Sequence, residues 1–563
     1  MKKFSIALAL AALAVYPIRA DRGGIGSARL QLVEATVADI QKAAQTGLAS
    51  TADIVHAYLT RIAAYDKTGP HLNAYLTLNP NAAAQARAED AERHHGRARL
   101  PLDGIPIILK DNVDTRDMQT SAGSVALTGS VPPDDATITR KLRKAGAIIM
   151  GKATLTEFAN FLTNGMPAGY SSLGGYGFNP FDPRPDPRPG VDSFGRPFAD
   201  GRQALSPGGS SSGPGIAVSA NLATVGIGTE TSGSILSPGT QNLLVGIKPT
   251  VGLVSRDGII PISADQDTAG PLARTVTDAA KVLGVIAGYD PADPATAACL
   301  TPGNCHSDYT RFLDRHALAG KRIAVPQTPY VSGLTPSQLQ VMNDAIAVLR
   351  ELGATVDPVE IPTQTALNAF GGCGVHGQAN CSTVLLYGFK RDLNAYLATL
   401  NASSPSHSLA DVIAYNSSHP GATKYGQDLA IQSQLFDTTP GSSDTIRYQQ
   451  DRALDLQLSR GGLDAIYASY DAILFPANRG ANIAARAGYP SIVVPGGFVA
   501  NAPTPPFPAG FNALPAPYGV TFSGPAFSEA KLIGFAYAFE QATHHRVAPA
   551  SAPPLPSDSF GRR

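Results

Sequence analysis

The chain has 563 residues with 44 basic and 44 acidic side chains, so its formal charge is zero and gives no electrostatic reason for nucleic acid or an anionic membrane as partner. Its length exceeds a usual single domain, and 56 glycines, 45 prolines and no tryptophan describe a turn-rich globular protein able to bury a large core. No spacing of cysteine and histidine suits a zinc site.

Residues 1–20, "MKKFSIALALAALAVYPIRA", combine a basic start, an apolar run from Phe4 to Tyr16 and a small residue at Ala20. This is a secretory signal layout, too short for a comfortable membrane span, although Ile18 stands where a smaller residue is usual before cleavage. An uncleaved anchor is the alternative. The reading is an exported protein, periplasmic or secreted, with no stable membrane association. Export gives the four cysteines a meaning: Cys299 and Cys305 bracket one short loop, Cys373 and Cys381 another, so two local disulfides are expected. Four cysteines allow three pairings, and free buried thiols are the other possibility.

The mature chain opens with "TVADIQKAAQTG" and "STADIVHAYLTRIAAYD", each a cap residue followed by apolar residues at helical spacing. "PLDGIPIILKDNVDT" is an apolar strand that stops abruptly at Lys110 and Asp111. "DDATITRKLRKAGAIIMGKATLTEFANFLTNG" predicts helix, strand, helix, the second helix opened by a capping box from Thr154 to Glu157 and stopped at Gly165. Strands alternating with helices argue for an α/β sheet. Residues 174–209, dense in glycine and proline, show neither helical nor strand period; they read as a surface insertion, placed just ahead of a serine cluster where they can rim a pocket. Residues 281–480 are a more irregular mixture of helices and loops. The terminal 548–563, "APASAPPLPSDSFGRR", has linker composition and reads as a disordered tail.

Three motif matches fall short. "GAIIMGKA" lacks the Ser or Thr of a phosphate loop, since Ala153 stands there. "SEAK" imitates a Ser-x-x-Lys motif, but Ser528 opens an amphipathic run and reads as a helix cap. "GSSSG" satisfies a nucleophile elbow centred on Ser211 without the preceding apolar strand. It leaves a Ser-His-Asp esterase as the main rival reading, with His544 or His545 as the essential histidine.

What remains is a constellation without histidine: Lys110 at a strand end, Ser210, Ser211 and Ser212 in "SPGGSSSGPG", and Ser234 in "TETSGSI". A serine hydroxyl attacks poorly unless a base takes its proton, and a lysine serves as base only where burial keeps it neutral. A second serine between them can relay the proton. From "GIPIILKDN" through "SPGGSSSG", "GIGTETSGSI" and "GIKPTVGLVSRDGIIPISADQDTAGPLARTVTDAA" to "FEQAT", the whole chain resembles the amidase signature family.

That resemblance implies an α/β fold with a large mixed β-sheet flanked by helices and a more irregular helical subdomain inserted. One amidase domain would then span about 21–547, with a catalytic core near 70–280, the irregular region 281–480 and a return to the core at 481–547. It implies Lys110 as base, Ser210 as bridge at a cis peptide, and Ser234 as nucleophile, forming an acyl-enzyme with no metal or cofactor. The bare segment before Ser234 then offers backbone N–H groups of Thr231, Ser232, Gly233 and Ser234 to the oxyanion, at the start of a helix. Ser232 departs from the family pattern, which has glycine there. Asp111 would point to the opposite face of the strand from Lys110. The resemblance is greatest to peptide amidases, so the expected partner is a small-molecule or peptide amide. A non-hydrolytic subunit like that of the tRNA-dependent amidotransferases is the remaining alternative.

Overall fold

The computed structural model describes residues 29–370, 376 and 382–561. The expected signal peptide and the second cysteine pair, Cys373 and Cys381, lie outside the described residues.

Eleven strands form one mixed sheet. From edge to edge they are Tyr75–Leu78, Ile148–Ala153, Pro106–Lys110, Val225–Glu230, Thr268–Ala273, Val245–Lys248, Ser491–Val499, Ala516–Ser523, Ala472–Pro476, Arg322–Pro326 and Thr355–Val359. The strand ending at Lys110 runs parallel to both its neighbours, with Lys110 opposite Ala153 and Leu109 opposite Ile227. Strands buried on both faces read as unbroken apolar runs, which is why "PIILK" is buried at every position. The irregular region 281–480 supplies three of these strands as well as its helices, so it shares the main sheet.

Helices cover the sheet as their patterns predict. Thr36 caps Val37–Gln45 and Ser50 caps Thr51–Tyr65, each in a reciprocal capping box with the aspartate three residues on. These helices, with Val276–Ile286, Pro336–Glu351 and Glu529–Thr543, bury their apolar faces in the largest core cluster. A second core, around Leu386, Phe389 and Phe436, belongs to the helical layer Thr383–Leu397, Leu409–Ser418 and Asp428–Gln434.

Three expectations are corrected. The helix expected from Thr154 to Gly165 shrinks to Glu157–Asn160, with Phe158 and Ala159 at φ 46° and 54°. Its capping groups are engaged elsewhere: the Thr154 hydroxyl donates to the Asn73 carbonyl at 2.8 Å, and the Glu157 carboxylate accepts the Ser172 N–H and hydroxyl at 2.7 and 2.8 Å. Ser528 stands at the cap position of Glu529–Thr543, but its hydroxyl donates to the Pro525 carbonyl at 2.7 Å and caps nothing.

The terminal segment, the third correction, is ordered over residues 548–561. Ser559–Gly561 pairs antiparallel with Arg29–Gln31, and Asp558 is buried against the guanidinium of Arg61, itself fully buried. Arg61 also donates to the carbonyls of Ala220, Asn221, Ala552 and Pro553, tying the chain's end to the helix Thr51–Tyr65. Its proline-rich composition does not produce disorder because these tertiary bonds hold it.

The insertion 174–209 folds back on itself through short Asp/Arg turns, with Arg184, Arg188 and Arg202 paired to Asp182, Asp186 and Asp200. Asn179 anchors it, donating to the carbonyls of Ser206 at 2.8 Å and Gln241 at 2.7 Å. In the loop 299–305 the sulfurs of Cys299 and Cys305 face each other at bonding distance.

Candidate active site

Lys110 closes its strand inside the protein, with no exposed surface. Its Nζ lies 2.8 Å from Ser210 Oγ and 2.9 Å from Thr229 Oγ1, with the Thr229 carbonyl at 3.4 Å. No carboxylate among the described residues lies within ion-pair distance of it. Burial therefore lowers the ammonium's pKa to about 7, against the weaker opposing fields of Asp267 and Glu230. Asp111 turns to the other face, as alternation along a strand requires: it pairs with Lys152 at 3.3 Å and accepts the Ser121 N–H at 3.1 Å.

Ser210 follows a cis peptide after Gly209, and its carbonyl accepts the Thr156 N–H at 3.1 Å. Ser211 is occupied: its hydroxyl donates to the Thr229 carbonyl at 3.0 Å and accepts the Thr229 N–H at 3.2 Å. The backbone of one residue thus takes both roles of the hydroxyl that an esterase would hand to histidine, and His545 packs instead on Phe539. Ser212 donates to the Gly208 carbonyl and starts the helix Ser212–Ser219. Gly228 has to be glycine here, because a Cβ would lie 2.8 Å from Ser211 Oγ.

Ser234 sits in the turn after the strand Val225–Glu230, its carbonyl accepting the Ser211 N–H at 3.2 Å. No hydrogen bond joins the Ser234 and Ser210 hydroxyls in this structure. The turn is shaped by a residue that motif reading passed over: the buried Glu230 carboxylate accepts the N–H groups of Gly233, Ile235 and Leu236 at 2.7, 2.7 and 3.0 Å. This corrects the expected oxyanion donors, because the Gly233 N–H is already bonded. The N–H groups of Thr231, Ser232 and Ser234 have no acceptor among the described residues. Gly233 takes φ 88°, whereas Ser232 does not take a positive φ, so a serine fits where the family pattern has glycine. The helix begins at Leu236 and is six residues long.

Thr229 and Asn112 were also not singled out by sequence. The Thr229 hydroxyl accepts from both Lys110 Nζ and Asn112 Nδ2, the latter at 3.0 Å, and so fixes the lysine head. Their signal was adjacency: Thr229 and Glu230 directly precede the segment holding Ser234, and Asn112 follows Lys110 by two.

A strand-end lysine and a serine turn on an eleven-stranded sheet find close counterparts among known proteins. The Amidase family model matches residues 53–533. A "Probable amidase" of Arabidopsis thaliana is 38% identical over 534 residues, covering 93% of each chain. The native peptide amidase of Stenotrophomonas maltophilia superposes with a TM-score of 0.79 at 42% identity, over 92% of this chain and 99% of its own. A glutamyl-tRNA(Gln) amidotransferase subunit from a Geobacter species is 35% identical over 334 residues, covering 59% of this chain and 62% of its own. The chain belongs to the amidase family. It is an enzyme that hydrolyses amide bonds.

Proposed function

We propose that the protein is a serine amidohydrolase that cleaves a carboxamide C–N bond through an acyl-enzyme on Ser234, with Ser210 as bridge and Lys110 as base, and that peptide C-terminal amides are its substrates. The observation that carries this reading is the 2.8 Å contact of a fully buried, carboxylate-free lysine with Ser210.

In this scheme neutral Lys110 takes the Ser210 proton as Ser210 takes that of Ser234, whose oxygen bonds to the amide carbon. The oxyanion is met by the N–H groups of Thr231, Ser232 and Ser234; one such donor contributes about 3–4 kcal/mol to the transition state in other hydrolases. Collapse breaks the C–N bond, and the proton returns from Lys110 through Ser210 to the leaving nitrogen. Water then repeats the sequence on the acyl ester, restoring Ser234. Likeness to a peptide amidase along nearly its whole length supports the substrate class. The amidotransferase-type role has less support, as that relative aligns over 59% of this chain. Export after removal of residues 1–20, with a Cys299–Cys305 disulfide, belongs to the same proposal.

A fluorophosphonate probe should label Ser234, and Ser234→Ala should abolish labelling and turnover. Labelling that persists at Ser211 would return the esterase reading.

A further inference from the structure

Gly233, the residue before the proposed nucleophile, faces room that two side chains border. A Cβ placed on it would meet Ala481 Cβ and Asn478 Nδ2, each at 3.5 Å, and, its chain neighbours apart, no other atom of the described residues within 4 Å. Asn478 therefore stands beside the turn whose Thr231, Ser232 and Ser234 N–H groups have no acceptor. It comes from the other half of the sheet, just past the strand Ala472–Pro476.

The backbone that carries Asn478 is held in an unfavourable form. Ala477 takes φ 48°, in the left-handed region that disfavours any residue with a Cβ. Its N–H donates to the Gly519 carbonyl at 2.9 Å, and its own carbonyl accepts the Thr521 hydroxyl. The Arg479 N–H returns to the Pro476 carbonyl at 3.0 Å, and the Arg479 guanidinium donates to the carbonyls of Tyr330 and Gly333 at 3.2 and 3.0 Å. The Asn478 carbonyl accepts the Ala481 N–H at 3.0 Å. Strained backbone persists where its surroundings fix it, and such positions cluster at functional sites.

The side chain fixed in this way is not used by the fold. Asn478 is half-buried, and its amide makes no hydrogen bond among the described residues. Asparagines that hold loops in this protein behave differently: the amides of Asn73, Asn179 and Asn242 each donate to two carbonyls. A carboxamide offers two N–H donors and one carbonyl acceptor, the complement of a peptide unit. The scissile carbonyl is already met by the N–H groups of the turn, so the group left for Asn478 is a second amide of the substrate, next to the one that is cut.

We propose that Asn478 is a specificity residue that hydrogen-bonds the amide on the acyl side of the scissile bond, and so distinguishes an N-acylated amino-acid amide from a simple carboxamide. The inference deepens the peptide-amide reading and rests on it.

The test is hydrolysis by the full chain of N-acetylalaninamide and of 2-methylpentanamide, in which a propyl chain replaces the acetamido group. Asn478→Ala should lower the ratio of kcat/KM, first substrate over second, about tenfold, the scale of the hydrogen bonding lost at a half-exposed site. A merely structural role would lower both rates together, and an unchanged ratio would overturn the inference. Asn478→Asp, equal in size but without the N–H donors, should lower the same ratio and serves if the alanine variant fails to fold by circular dichroism. Should neither amide be hydrolysed, the amidohydrolase reading falls and calorimetric binding of N-acetylalaninamide decides the contact: binding about tenfold weaker in Asn478→Ala than in the wild type would keep it, and equal binding would overturn it.

Discussion

In the proposed mechanism Lys110 acts as base only in its neutral form, which burial without a carboxylate in contact favours by lowering its pKa to about 7. With its pKa near 7, the neutral fraction grows as pH rises through that value. Acylation should therefore show an ascending limb centred near pH 7, read as kcat/KM against pH. Lys110→Ala should lower the rate about 10²- to 10⁴-fold, the usual contribution of a general base. Lys110→Arg should fail nearly as badly, because a guanidinium stays charged and accepts no proton. Circular dichroism would confirm that the variants fold; an active Lys110→Arg would make the lysine a fixed charge and remove it as base.

At the scale of an element, the turn carrying Ser234 owes its shape to Glu230. Three backbone N–H groups converge on this one buried carboxylate, while those of Thr231, Ser232 and Ser234 have no acceptor among the described residues. Glu230→Gln preserves the volume but turns one acceptor into an N–H donor facing other donors. Each stranded donor costs about 1–3 kcal/mol. The variant should melt earlier and be labelled by fluorophosphonate more slowly, and an unchanged labelling rate would show that the turn keeps its form without this anchor. The segment 154–165 teaches the complementary lesson. Its helical pattern and capping box are present in sequence, yet Ser172, Asn73 and Gly169 take the polar groups that a helix start would use. Local propensity, worth tenths of a kcal/mol per residue, yields to buried hydrogen bonds.

Across the whole molecule, the two ends of the described chain meet. Arg61 and Asp558 are both without exposed surface, and Asp558→Asn would leave a buried guanidinium short of its counter-charge. Losing one partner of such a pair costs about 3–5 kcal/mol, so the midpoint of chemical denaturation should fall markedly. A midpoint within experimental scatter of the wild type would mean that the carbonyls around Arg61 suffice. The alternation of strands and helices, the capped opening helices, and the family motifs that contain Lys110, Ser210 and Ser234 were legible in the sequence, because period, caps and ordered motifs are local properties of a chain. The contacts of Thr229, Asn112 and Glu230, the engagement of Gly233 and Ser211, and the order of the tail were decided by tertiary structure alone. Each depends on which distant backbone or side-chain group reaches a polar atom once water has been removed, and that is a property of the packed sheet and not of any stretch of sequence.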